Sequence, residues 1–83
     1  MLRGESLNKE GREQLSEALE MIMQPQHIIS QVTAEEEEKH SNLESAGLEY
    51  SPVGERMENG ISHLYTAHDS CDEAINYIEE AMA

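Results

Sequence analysis

Two places in the sequence hold residue types that bind metals or transfer protons. Glu37 and His40 have the three-residue separation of the carboxylate–histidine pairs in di-iron helical bundles. His68 and Cys71 are one helical turn apart, and Asp72 is one turn beyond His68. Together with the same residues of a second copy, His68 and Cys71 could supply the four nitrogen and sulfur ligands of a zinc ion.

Neither set of ligands is complete in a single chain. A di-iron bundle also needs inward carboxylates from the facing helices, and the apolar row of the C-terminal helix offers none. His68 and Cys71 also have a plainer interpretation, as a half-buried histidine and a small apolar thiol. A histidine in an apolar row can instead fix helix register or oligomeric state. We therefore predict neither a metal nor a cofactor.

Catalysis finds little support in the sequence. The charges closest to Cys71 are Asp69, Asp72 and Glu73, and negative neighbours disfavour the thiolate. The chain has no glycine-rich phosphate loop, HExxH pair, calcium loop or nucleophile elbow. We predict that the protein is not an enzyme.

The elements that must position these residues are helices, and the clearest is predicted over residues 52–82. Ser51 can cap its first turn, and Pro52 fits the first helical position, where no amide hydrogen is needed. Eight side chains separated by alternating steps of four and three form its predicted seam, the row that faces another helix. They are Met57, Ile61, Leu64, His68, Cys71, Ile75, Ile78 and Met82.

The two flanks of this seam differ. The residues immediately before every second seam position are all small and recur every seven residues. They are Gly60, Ala67, Ala74 and Ala81. The other flank is mostly acidic: Glu58, Tyr65, Asp72 and Glu79. We expect another helix to approach closely on the small flank.

The N-terminal half is predicted to hold a helical arm over residues 8–46, after a loose tail at 1–6 and before a connector at 47–51. Four apolar residues keep one helical phase across Pro25: Leu15, Leu19, Ile22 and Ile29. That phase favours a single helix kinked near residue 25. The alternative is two helices meeting near 24–33, with Thr33 and Glu36 as a capping box. Gly47 is a good C-terminal stop.

An arm, a short connector and a long second helix predict an all-α helical hairpin. A lone hairpin buries one row per helix, which hardly offsets the entropy of ordering the chain. Pairing two hairpins into a four-helix bundle would bury more, so we expect a homodimer.

Charge narrows the classes of partner. The chain has 18 acidic and 5 basic residues, a net charge of −13 at pH 7. This excess argues against binding nucleic acid or an anionic membrane directly, because phosphate contacts need Lys and Arg. It favours a basic partner or simple solubility. The sequence also lacks a long apolar run and a secretory signal, and its single cysteine fits a reducing compartment, so we expect a cytoplasmic protein.

The C-terminal half contains the acidic run 35–38, the segment Gly54-Glu55-Arg56-Met57-Glu58 after a serine-capped turn, and the acidic segments 72–75 and 78–81. With these features, residues 33–83 resemble the small acidic helical-hairpin proteins of Firmicutes and their phages. The segment 54–58 is the most specific part of the resemblance. The resemblance implies a helical fold and a phage origin, and it assigns neither an activity nor functional residues.

Two functions follow as hypotheses. The first is a DNA mimic, a phage-type inhibitor acting in the infected cell, whose carboxylates occupy the basic surface of a host nucleoid protein, nuclease or transcription factor. The candidate partner-binding residues are Glu35, Glu36, Glu37, Glu38, Glu55, Glu58, Asp69, Asp72, Glu73, Glu79 and Glu80. The second is a structural or adaptor bundle protein whose acidic surface only confers solubility.

Overall fold

The computed structural model describes residues 7–83, which form two antiparallel helices. Helix α1 spans Lys9–Ser45 and helix α2 spans Pro52–Met82, and the described part of the chain contains no strand. The molecule is a rod of 62 × 19 × 14 Å. The predicted all-α helical hairpin is therefore confirmed. The predicted tail at 1–6 lies outside the described residues.

Capping groups fix where each helix begins and ends. The Asn8 side chain accepts a 2.7 Å hydrogen bond from the Gly11 amide at the start of α1. The Ser51 hydroxyl accepts from the Gly54 amide at 3.2 Å, which confirms the predicted cap of α2. Helix α1 ends where Gly47 takes a φ of 75°, a conformation that glycine adopts without steric cost.

Helix α1 continues through Pro25, so its sequence forms one helix and not two that meet near 24–33. The capping box suggested at Thr33 and Glu36 is wrong, because Thr33 lies in the interior of α1. Its hydroxyl donates a 2.6 Å hydrogen bond to the Ile29 carbonyl one turn earlier. The apolar phase shared across Pro25 is the signal that identified a continuous helix.

The connection packs tightly against the first turn of α2. A Cβ atom at Gly54 would lie 2.3 Å from the backbone oxygen of Glu49, closer than real contacts allow. Because glycine has no Cβ atom, the backbone of the connecting segment can pack directly against the first turn of α2. This packing brings α2 alongside α1.

The two helices meet along a seam with alternating steps of three and four on each. On α1 the inward residues are Arg12, Leu15, Leu19, Ile22, Gln26, Ile29, Thr33, Glu36, His40 and Leu43. On α2 they are Gly54 and the eight predicted seam residues. Every one of these side chains is buried or half-buried. The pairing is that of an antiparallel coiled coil.

The seam gives the hairpin only a thin interior. Within residues 7–83, Ile75 is the one buried apolar side chain, at 8% exposure, and no large side chain is fully buried. A chain of this size rarely builds a sufficient core alone. Much of its apolar surface therefore lies on the outside of the rod.

Candidate functional site: the two sides of the hairpin

The antiparallel arrangement gives the rod two long sides that differ in chemistry. Side chains one position after an inward residue project to one side of an α-helix, and those one position before project to the other. Because the helices run in opposite directions, the "after" positions of α1 and α2 lie on the same side of the hairpin. The "before" positions lie together on the opposite side.

The "after" positions form what we call the acidic side. It carries nine carboxylates, all exposed, and no Lys or Arg. They are Glu13, Glu20, Glu37, Glu44, Glu55, Glu58, Asp69, Asp72 and Glu79. Six of the eleven candidate partner-binding residues lie here, at positions 37, 55, 58, 69, 72 and 79.

Polar contacts join the two helices on this side. The Tyr65 hydroxyl donates a 2.8 Å hydrogen bond to a Glu37 carboxylate oxygen. The Gln26 amide donates to Asp72 and, at 3.4 Å, to the His68 carbonyl. The hydrogen bond to Glu37, with smaller contributions from desolvation and from the carboxylate charge, raises the Tyr65 pKa above its ordinary value of 10.0.

The remaining five candidates lie elsewhere. Glu38, Glu73 and Glu80 are two positions from the nearest inward residues, so they face outward from the backs of the helices. Glu36 is a half-buried member of the inward row, and Lys39 contacts its carboxylate at 3.2 Å. Glu35 lies on the opposite side of the rod. The eleven candidates thus do not share one surface.

His68 contacts two carboxylates and not Cys71. Its Nδ1 atom is 3.8 Å from an Asp69 oxygen and 3.7 Å from an Asp72 oxygen. These three side chains are the one group within residues 7–83 whose potential ligand atoms cluster, all within 4.8 Å of one another. Asp69 and Asp72 are exposed, and Gln26 already donates to Asp72. The arrangement is an ordinary cluster of polar side chains at the surface.

Glu37 and His40 do not form a shared site. Glu37 accepts its hydrogen bond from Tyr65 on the acidic side, whereas His40 lies in the inward row. The His40 Nδ1 atom is 3.0 Å from a Glu44 carboxylate oxygen, one turn further along α1. Their three-residue spacing therefore reflects two separate structural contacts.

The "before" positions form what we call the apolar side. Its α1 half exposes a row of apolar side chains, with Met21 at 69%, Ile28 at 57% and Val32 at 38% exposure, and Pro25 lies in the same row. Its α2 half holds Val53 and the predicted small flank: Gly60, Ala67, Ala74 and Ala81. A Cβ atom added at Gly60 would meet nothing within 4 Å.

Charges and hydrogen bonds are sparse on the apolar side. Of its positions, only Glu35 is acidic, while Lys39 and Arg56 are basic. Within the described ranges, the hydrogen bonds between the helices involve the acidic side or join inward residues, as from the Arg12 guanidinium to the Met82 carbonyl, and none involves a residue of the apolar side. The α1 half of this surface was not predicted from the sequence. Its signal was present in the four-three-four spacing of Met21, Pro25, Ile28 and Val32.

Comparison with protein-family models, with curated proteins and with solved structures gives no match to this chain. Neither α1 nor α2 has an apolar stretch long enough to cross a lipid bilayer. Function must therefore be argued from the two sides of the hairpin.

Proposed function

We propose that this protein is a non-enzymatic interaction protein whose acidic side occupies the basic, DNA-binding surface of another protein. The observation that supports this function is the composition of that side, whose positions hold nine exposed carboxylates and no Lys or Arg, with Lys9 beside Glu13 at its end. A strongly anionic surface attracts an oppositely charged surface and repels nucleic acid.

The spacing of the carboxylates suits a DNA mimic. Glu55 and Glu58 are three residues apart on α2, as are Asp69 and Asp72. At about 1.5 Å per residue, each pair is separated by roughly 4.5 Å along the helix axis. Successive phosphates of one DNA strand advance by roughly 3.4 Å. A basic groove shaped for phosphates would thus meet two closely spaced carboxylate pairs, with Asp69 eleven positions after Glu58.

The experiment uses immobilised full-length protein to capture partners from a bacterial lysate. Captured proteins should dissociate between roughly 50 and 200 mM salt, because binding through several charge contacts weakens steeply with ionic strength. Duplex DNA added at low salt should displace the same proteins. Capture that resists both salt and DNA would contradict the proposal.

A matched pair of triple variants separates the acidic side from net charge. Glu55→Gln, Glu58→Gln and Glu79→Gln together remove three carboxylates from the acidic side. Glu17→Gln, Glu38→Gln and Glu73→Gln remove three from the outward backs of the helices. The first variant should lose most of the salt-sensitive binding and the second should keep most of it. Equal losses would mean that only total charge matters.

A second candidate function is a structural or adaptor protein, and the exposed apolar row of α1 favours it. A partner helix could pack on Met21, Ile28 and Val32 without any contribution from the carboxylates. In that case capture would survive moderate salt and the acidic-side variant, and Met21→Glu would abolish it.

A further inference from the structure

We propose that a second copy of this chain covers the apolar side. In this dimer each α1 packs antiparallel on the partner's α1, and each α2 packs antiparallel on the partner's α2. A two-fold axis crosses the rod at the level of Gln26 and Ser70. The inference does not depend on the partner proposed for the acidic side.

The exposed area of the single chain supports an occupant of this size. The long face of the rod measures 62 × 19 Å, which is large enough to supply the roughly 800 Å² that each partner contributes to a stable interface. The apolar side, with its exposed Met21, Ile28 and Val53, is where such area is available.

Charge selects the side through which two copies can meet. Two chains of net charge −13 repel each other most strongly through their acidic sides. The apolar side carries one acidic and two basic residues, Glu35, Lys39 and Arg56. Contact through this side places the nine exposed carboxylates of each copy on the outside of the dimer.

The positions of the two rows permit a two-fold axis, since any row with a regular repeat is symmetric about its midpoint. An interface with this symmetry must be self-complementary about its axis. On α1 the apolar row of Met21, Pro25, Ile28 and Val32 is symmetric about a point between residues 26 and 27. On α2 the small residues are symmetric about a point between Ser70 and residue 71.

These two midpoints lie at the same level of the rod. The Gln26 side chain contacts both the His68 carbonyl and the Asp72 carboxylate, which bracket Ser70. One axis perpendicular to the rod therefore passes through both midpoints. It places Ala67 opposite Ala74 of the partner subunit, Gly60 opposite Ala81 of the partner subunit, and Met21 opposite Val32 of the partner subunit.

The alternative two-fold axis, parallel to the rod, would pack α1 on the partner's α2. In that arrangement each residue of one copy faces residues at the same height along the partner's rod, whatever the heights of the two midpoints. The perpendicular axis requires the two midpoints to lie at the same height. It also brings the small residues of the two α2 helices together, where their size permits close helix approach.

The first test compares two methionines that lie two residues apart on opposite sides. Sedimentation equilibrium of the wild type should give twice the 9.4 kDa mass of one chain. Met21→Glu should raise the dissociation constant by roughly 100-fold or more, since a symmetric dimer loses the buried side chain twice. Met23→Glu, on the acidic side, should leave it within a few-fold.

Ile28→Gln gives the same test without adding a charge and should also weaken the dimer. Circular dichroism checks that each variant stays helical. A wild type that stays monomeric at high micromolar concentration would overturn the proposal. Equal weakening by Met21→Glu and Met23→Glu would overturn the choice of side.

The second test fixes the axis by disulfide formation in a Cys71→Ala background. In a dimer of two Ala67→Cys chains, the two thiols lie roughly 10 Å apart along the length of the rod, because position 67 faces position 74 of the partner subunit and seven residues separate the two positions. The same separation holds for two Ala74→Cys chains. A mixture of the two variants should therefore form the cross-link that neither forms alone. A mixture that dimerises without this cross-link would exclude the perpendicular axis.

Discussion

The acidic side and the apolar side of this hairpin are built on one seam, yet they have opposite chemistry. The acidic side carries nine carboxylates and the hydrogen bonds from Tyr65 and Gln26 that join the helices. The apolar side carries one carboxylate and a row of exposed apolar residues. The difference arises from residues only one position before or after the inward row.

This contrast separates the side chains that the single chain can accommodate from those that require another surface. Polar groups on the acidic side are satisfied by water and by contacts within the hairpin. Apolar side chains such as Met21 and Ile28 gain free energy only when another surface covers them. The seam holds the two sides in place, so the predictions begin with the seam and end with the acidic side.

Removing the best-buried apolar side chain of the seam should disrupt both sides at once. Ile75→Ala should lower the free energy of unfolding by about 2–4 kcal/mol, because it leaves a cavity at the one buried apolar residue of the described chain. Met23→Ala, at an exposed site, should cost less than about 1 kcal/mol. Urea titration at one fixed protein concentration measures both. Equal losses would show that the seam is not the core.

Two glycines of α2 should respond in opposite directions. Gly54→Ala should destabilise the protein by about 1–3 kcal/mol, since the new Cβ would meet the Glu49 carbonyl at 2.3 Å and the connection must shift. At concentrations too low for two copies to pair, Gly60→Ala should stabilise the helix by up to about 1 kcal/mol, because open space surrounds this position in the single chain. Thermal unfolding tests both, and a destabilising Gly60→Ala would show that a Cβ does not fit there.

The smallest expected effect lies on the acidic side and depends on pH. The Tyr65 pKa is raised in the folded state, so the Tyr65–Glu37 hydrogen bond stabilises fully below the unfolded value near 10.0. That contribution is lost as the pH rises through the higher folded value. Glu37→Gln should lower the Tyr65 pKa, as followed by the NMR shifts of its ring protons. Glu44→Gln, which leaves the contact intact, should not change it.

The sequence was sufficient to predict the hairpin, the cap at Ser51 and the stop at Gly47. These features follow from local rules, because capping residues, proline at a first helical position and a three-four apolar spacing each have one favoured structure. The all-α class and the two helices were therefore predictable without tertiary information.

The inward row of α1 was harder to predict, because five of its members are polar: Arg12, Gln26, Thr33, Glu36 and His40. Polar residues on a seam carry no hydrophobic signal, and their positions emerge only once α2 is placed against them. The apolar row from Met21 to Val32 was missed for a different reason, since its residues alternate along the sequence with the apolar inward residues Ile22 and Ile29. The suggested zinc ligands His68 and Cys71 do not share a cluster, because the His68 ring lies beside Asp69 and Asp72.

The most direct test of the account is the oxidation of Met21 and Met23 in the unmodified protein by dilute hydrogen peroxide. In a single chain Met21 is the more exposed, at 69% against 47%, so it should oxidise at least as fast when the protein is very dilute. At concentrations where two copies pair, the account predicts that Met21 becomes protected and that Met23 oxidises faster, as measured by mass spectrometry of the peptide that contains both. Rates that do not change with protein concentration would contradict it.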